Sequence, residues 1–180
     1  NGPESTDVAV CILDTGVTQA HPLLAPALDA ADVHVYDPGW PGGDTRGHGT
    51  NMAGAALYGD LMPLLAGNGA VSLTHVLESV KVLPDVGENE PRLYGAITRE
   101  SIGRVEVQEP DRRRAFCMAV TSDFENDRGR PSSWSAAIDQ TSFGDGTTQR
   151  LVLISAGNIR EGLSKANYPA RNETEPIENP

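Results

Sequence analysis

Residues 8–17 read VAVCILDTGV: six apolar residues in succession, then Asp14, Thr15 and Gly16. A strand with one wet face alternates apolar and polar residues, whereas a strand covered on both faces need not. The unbroken run, rich in β-branched residues, predicts a central parallel strand over Val8–Asp14, and Thr15-Gly16 supplies the turn that ends it. A central parallel strand needs helices on both faces of its sheet. This stretch therefore sets the expected class: α/β, three layers, with a mainly parallel sheet flanked by helices.

The flanking sequence agrees. Apolar runs over 33–36, 74–83, 115–120 and 151–154 predict four more strands. HGTNMAGAALYG, residues 48–59, predicts a helix that starts at or near His48, with Gly54 and the alanines letting its backbone approach the sheet. Residues 91–107 predict a second helix, with Pro91 in its first turn and Leu93, Ile97 and Ser101 on one face. Ser132 or Ser133 caps a third, running to about Gln140 with Trp134 and Ile138 on one face. Strands alternating with helices imply right-handed crossovers. No repeat or domain boundary interrupts residues 1–180.

Composition narrows the function. Lys and Arg number 14 against 25 Asp and Glu, a net charge of −11, which argues against nucleic acid or an anionic membrane as partner. Arg112, Arg113 and Arg114 do not reverse this; such a charge run predicts a solvated loop ahead of a strand. Cys11 and Cys117 lie in apolar runs with no framework spacing, so buried reduced thiols are expected, which leans toward a cytoplasmic rather than a secreted chain. No stretch has the pattern of a membrane span.

Three places carry chemically useful groups. Asp14 has three readings: a turn residue, one half of an Asp-Thr-Gly carboxylate dyad, or the acid of a Ser-His-Asp triad. A dyad needs a second such loop. The chain lacks one, Asp145-Gly146-Thr147 having the wrong order; a homodimer would supply it, but that fold is almost all β. His48 stands between Gly47 and Gly49, which leaves its imidazole uncrowded at the start of a small-residue helix. Asn158 follows the strand LVLI and the small residues Ser155, Ala156 and Gly157, where its amide is able to donate into a cleft.

Together VAVCILDTGV, GHGTNMAG and LVLISAGN resemble the Asp, His and oxyanion-Asn segments of the subtilisin-like serine peptidases, in that family's order and across roughly residues 8 to 160. The resemblance implies an endopeptidase acting on polypeptide substrates. Asp14 would accept a hydrogen bond from His48, His48 would be general base and then acid, and Asn158 would donate to the tetrahedral oxyanion. Substrate would lie along the 115–121 edge as an added strand, between Ala119, Val120 and Thr121 on one wall and Ser155, Ala156 and Gly157 on the other. The family usually has Ser-Leu-Gly where this chain has Ala119-Val120-Thr121, and Gly-Thr-His where this chain has Gly49-Thr50-Asn51.

A nucleophile is the piece not found. The family carries it in a Gly-Thr-Ser block after the Asn segment, and none follows Asn158 here. Ser142, after Thr141, lacks the preceding Gly and comes too early. The expectation is therefore a partial catalytic domain, completed by a C-terminal Ser-bearing segment of the same protein and inactive without it. The alternative is a catalytically inactive subtilase-like binding domain. Other chemistries fit poorly. GGDTRGHGT lacks the Gly-Lys-Ser/Thr of a phosphate loop, Met52 stands where a dinucleotide fingerprint needs Gly, and His21, His34, His48 and His75 have no metal-ligand spacing. No cofactor is expected. A structural calcium ion finds carboxylates in loops such as 123–127, but none marks a site.

Overall fold

The computed structural model describes residues 2–122 and 131–157. Strand β1 spans Val8–Asp14 and is flanked on both sides, by β3 (Val76–Lys81) and β4 (Arg113–Met118). With β2 (Val33–Val35) and β5 (Leu151–Ile154) the order is β2-β3-β1-β4-β5, and every pairing is parallel. The expected three-layer α/β arrangement with a parallel sheet is what forms, and Val8–Asp14 is its central strand.

Alternate residues of the central strands feed two cores. Cys11, Leu13, Val80, Phe116 and Met118 meet Ile97, Ile102 and Val105 of α3 (Tyr94–Gln108), with Trp134 and Ile138 of α4 (Ser133–Phe143) packed against them. Ile12 and Leu77 point the other way, onto Ala53 and Leu57 of α1 (His48–Tyr58) and onto Val17, Leu24 and Leu28 of the connection after β1. Each fully buried Leu, Ile or Phe contributes about 1.5–3 kcal/mol, so the two cores dominate the stability. Cys11 and Cys117 belong to opposite cores and are free thiols; burial pushes both up from the ordinary thiol value.

Several expected details differ. A short helix, α2 (Leu61–Ala66), capped by the Asp60 carboxylate, was not anticipated; it buries none of its residues, so no amphipathic stripe announces it. Leu93 lies in the short 3-10 turn Pro91–Leu93 and is exposed, while the buried stripe of α3 is Ile97, Thr98, Ser101, Ile102 and Val105. Ser132 caps α4 in a reciprocal pair with Ser135. No described helix is long and apolar enough to cross a membrane.

The largest correction concerns the arginine run. Arg113 and Arg114 open β4 rather than a loop, and Arg112 and Arg114 turn inward onto Glu78, which is 1% exposed. Arg114 grips Glu78 with two parallel bonds, Nε to Oε2 at 2.7 Å and Nη2 to Oε1 at 2.9 Å. Arg112 Nη1 reaches Glu78 Oε1 at 2.6 Å and Asp32 Oδ1 at 3.0 Å. The residues that neutralise these arginines lie 34 or more positions away in sequence, beyond the reach of a local charge reading. Glu78→Ala should destabilise the chain by about 3–5 kcal/mol, because two arginines are left buried without their shared carboxylate. Urea unfolding followed by circular dichroism checks this.

Candidate active site

Asp14 ends β1 and is fully buried. A carboxylate in that position must be hydrogen-bonded or it costs several kcal/mol. It accepts from the Thr15 backbone N–H at 2.7 Å and from Nδ1 of His48, which lies 2.8 Å from Oδ1 and 2.9 Å from Oδ2. A carboxylate only accepts, so Nδ1 carries a proton, and in the neutral ring Nε2 holds the lone pair. The His48 side chain is 53% exposed against 1% for Asp14, so the free edge of the imidazole faces solvent. The pair has the geometry of an oriented base: carboxylate behind, basic nitrogen in front.

Two glycines allow α1 to come this close. A Cβ on Gly49 would lie 2.1 Å from the Gly16 carbonyl oxygen and 3.2 Å from Asp14 Cβ. Gly54, expected to mediate the approach, has open space around it; the contact is made at the first turn of the helix instead. Gly47, the N-cap of α1, has φ +81° and so adopts a left-handed turn that aims His48 back at β1.

Asp44 does what the glycine N-cap cannot. Its Oδ1 accepts from Gly47 N at 2.8 Å, Arg46 N at 2.9 Å and Thr15 Oγ1 at 2.9 Å, and its Oδ2 accepts from Thr50 N at 2.9 Å and Thr50 Oγ1 at 2.7 Å. Thr15 Oγ1 in turn accepts from Gly49 N at 3.0 Å. Partial burial pushes the Asp44 carboxyl up, but the donors from Thr50, Arg46 and Gly47 outweigh it and hold the group below the usual carboxylate range. One carboxylate thus ties the end of β1 to the start of α1 and complements the helix dipole. Sequence reading missed it; an Asp just ahead of a helix that has only Gly as N-cap was the available signal.

The other expected residues gather at the same ends of the strands. Ala119, Val120 and Thr121 continue β4, and Ser155, Ala156 and Gly157 continue β5, joined by a bond from Ser155 N to Met118 O at 3.2 Å. Gly157, at φ +90°, lies against Thr121: a Cβ there would sit 3.7 Å from Thr121 Cγ2. A recess of about 170 Å³ opens beside Val120, Thr121 and Ser122, bounded by Tyr94, Trp134 and Arg46. Residues 155–157 do not line it. Ser142 lies on α4, which packs on the core opposite to that of α1, so the sheet separates it from His48. Asn158 and loop 123–127 lie outside the described residues, and no group of three potential metal ligands occurs among those described.

Comparison with known proteins bears on this geometry. The model of the subtilase family, Peptidase_S8, matches residues 5–180. Among solved structures, one described as S41 psychrophilic protease superposes with a TM-score of 0.57 at 24% identity, covering 85% of this chain and 46% of the other. The chain thus spans about half the length of that protease, and the likeness is one of fold. No curated protein matches.

Replacing the Asp44 hub has a signed consequence. Asp44→Asn should destabilise the chain by about 1–3 kcal/mol at neutral pH, through loss of charge-assisted bonds. A carboxyl held below its ordinary value of 3.8 contributes stability above that pH and loses it as pH falls through the depressed folded value. The gap between parent and variant should therefore close below about pH 4. Denaturant midpoints measured from pH 7 to pH 3 check both parts.

Proposed function

The chain belongs to the subtilase family, and from that premise we propose that it is the Asp- and His-bearing part of a serine endopeptidase. The observation that carries the reading is the contact of a buried Asp14 with both carboxylate oxygens 2.8–2.9 Å from His48 Nδ1, leaving Nε2 open to a reacting hydroxyl. In the proposed chemistry Nε2 takes the proton of a serine Oγ as that oxygen attacks a peptide carbonyl. Asp14 stabilises the imidazolium so formed, and His48 then passes the proton to the departing amine. Asn158 is assigned the role of oxyanion donor on the family motif alone. Polypeptide substrate is assigned to the 119–121 segment, whose Val120 and Thr121 border the recess beside Tyr94 and Trp134.

The nucleophile is assigned to a segment outside these 180 residues. Two observations support this. Ser142 is on the wrong side of the sheet. In addition, Leu151 and Leu153 of β5 are 61% and 51% exposed. Leu153 pairs with Cys117, a residue of the core that α1 covers, so the uncovered leucines lie on the face that carries His48. An apolar sheet face of this kind needs a covering element, and a helix presenting a serine fits there. The second reading, an inactive binding domain, leaves the oriented Asp14–His48 pair without a task.

A fluorophosphonate probe separates the two on the full-length polypeptide. The peptidase reading expects a single labelled serine beyond residue 180 and loss of labelling in His48→Ala; no labelling in the folded full-length protein favours the binding domain. The 180-residue chain alone should hydrolyse peptides no faster than buffer.

A further inference from the structure

Lys81 is a buried charge that the proposed chemistry does not use. It ends β3, has no solvent exposure, and is the direct cross-strand partner of Asp14. Its Nζ donates to the Gly43 carbonyl at 2.9 Å and to Asp85 Oδ1 at 2.5 Å. An ammonium removed from water holds tightly to such acceptors, since losing one strands a buried charge. The same Asp85 oxygen accepts from Thr45 Oγ1 at 2.5 Å, and Arg46 Nη2 reaches the carbonyls of Pro84 at 2.8 Å and Asp85 at 3.2 Å.

Loop 43–47 is therefore held from two sides. Gly43, Thr45 and Arg46 are tied to the end of β3 and the turn that follows it, while Asp44 is tied to Thr15 and to the first turn of α1. Gly43 also lies over the turn after β1, its carbonyl oxygen 3.2 Å from where a Cβ on Gly16 would be. Were the Lys81 anchor removed, the loop that presents Asp44 to the helix would lose its tie to a fully buried ammonium.

We propose that Lys81 is a positioning residue: its ammonium clips loop 43–47 to the turn at Pro84–Asp85 and, through Asp44, fixes the ring of His48 against Asp14. Gly87, Glu88 and Asn89, which follow the clipped Asp85, border the recess beside Val120 and Thr121 together with Arg46, so the clip joins the wall of that recess to the His48 loop. The assignment concerns the same site as the peptidase reading but does not need peptide hydrolysis to be tested.

The test is proton NMR of the uniformly ¹⁵N-labelled 180-residue chain, reading exchange with water of the His48 Nδ1 proton, identified by its loss in Asp14→Asn. Lys81→Met keeps the length of the stem and removes the charge. The expected result is exchange faster by about tenfold or more, the scale of one charge-assisted bond, with exchange at the Cys11 and Ile12 amides of the central strand unchanged. Unchanged Nδ1 exchange in folded Lys81→Met overturns the proposal, as does an equal acceleration at Cys11 and Ile12, which would mark a general loss of stability. Should Lys81→Met not fold, Asp85→Asn gives the same reading from the partly exposed side of the clip: selective acceleration at His48 supports it and none overturns it. Absence of fluorophosphonate labelling in the full-length protein would instead remove the peptidase reading and leave this contact standing.

Discussion

A carboxylate with no access to water sits at the end of the central strand, and the local architecture follows from its need for donors. Asp14 obtains one from the backbone of Thr15 and one from the ring of His48. The second donor comes from another element, so the helix that carries His48 has to start against the strand end. That demand explains Gly49, whose missing Cβ admits the Gly16 carbonyl, and Gly47, whose left-handed backbone turns the chain into the helix. The charge that would orient the base is thus also what joins two layers of the fold.

Around this contact the molecule uses carboxylates as rivets between segments distant in sequence. Asp44 gathers donors from the β1 turn and the first turn of α1; Asp85 gathers the Lys81 ammonium and the Thr45 hydroxyl; Glu78 gathers Arg112 and Arg114. The first two hold the loop that leads into His48, and the third closes the opposite ends of the strands. A chain of net charge −11 would gain little from its excess of carboxylates as surface ion pairs alone. Several of them are spent on buried or half-buried junctions, where a bond to a charged group is worth more and where removing one partner is costly.

The two faces of the sheet are unequally covered. The α3 and α4 side is covered by Trp134, Ile138, Ile97 and Val105 except at Ile154 near the end of β5, whereas on the α1 side both leucines of β5 remain open. The candidate base lies beside that open face, with its exposed ring edge. An apolar surface adjoining an oriented imidazole is coherent with a site completed by a further element, and it sets the chemistry such an element would bring: an apolar underside and a hydroxyl.

VAVCILD announced its own place, because a short, β-branched apolar run closed by Thr-Gly fits a strand covered on both faces. The small residues of HGTNMAG likewise announced a helix built for close approach, and the Ser132-Ser133 pair announced the cap of α4. What only the tertiary structure decided were the partners. The arginine run at 112–114 looked like a solvated loop because Glu78 and Asp32 are remote in sequence, and electrostatic pairing is set by distance in space. Lys81 gave no local pattern either, since a Lys in a strand is ordinary until its neighbours are known, and Asp44 gave only its place ahead of a Gly-capped helix. Gly49 rather than Gly54 proved to be the contact, because helix and strand meet at a crossing whose position depends on how the whole layer packs. Hydrophobic periodicity is a property of one segment and can be read along the chain; the satisfaction of a buried charge is a property of several segments at once.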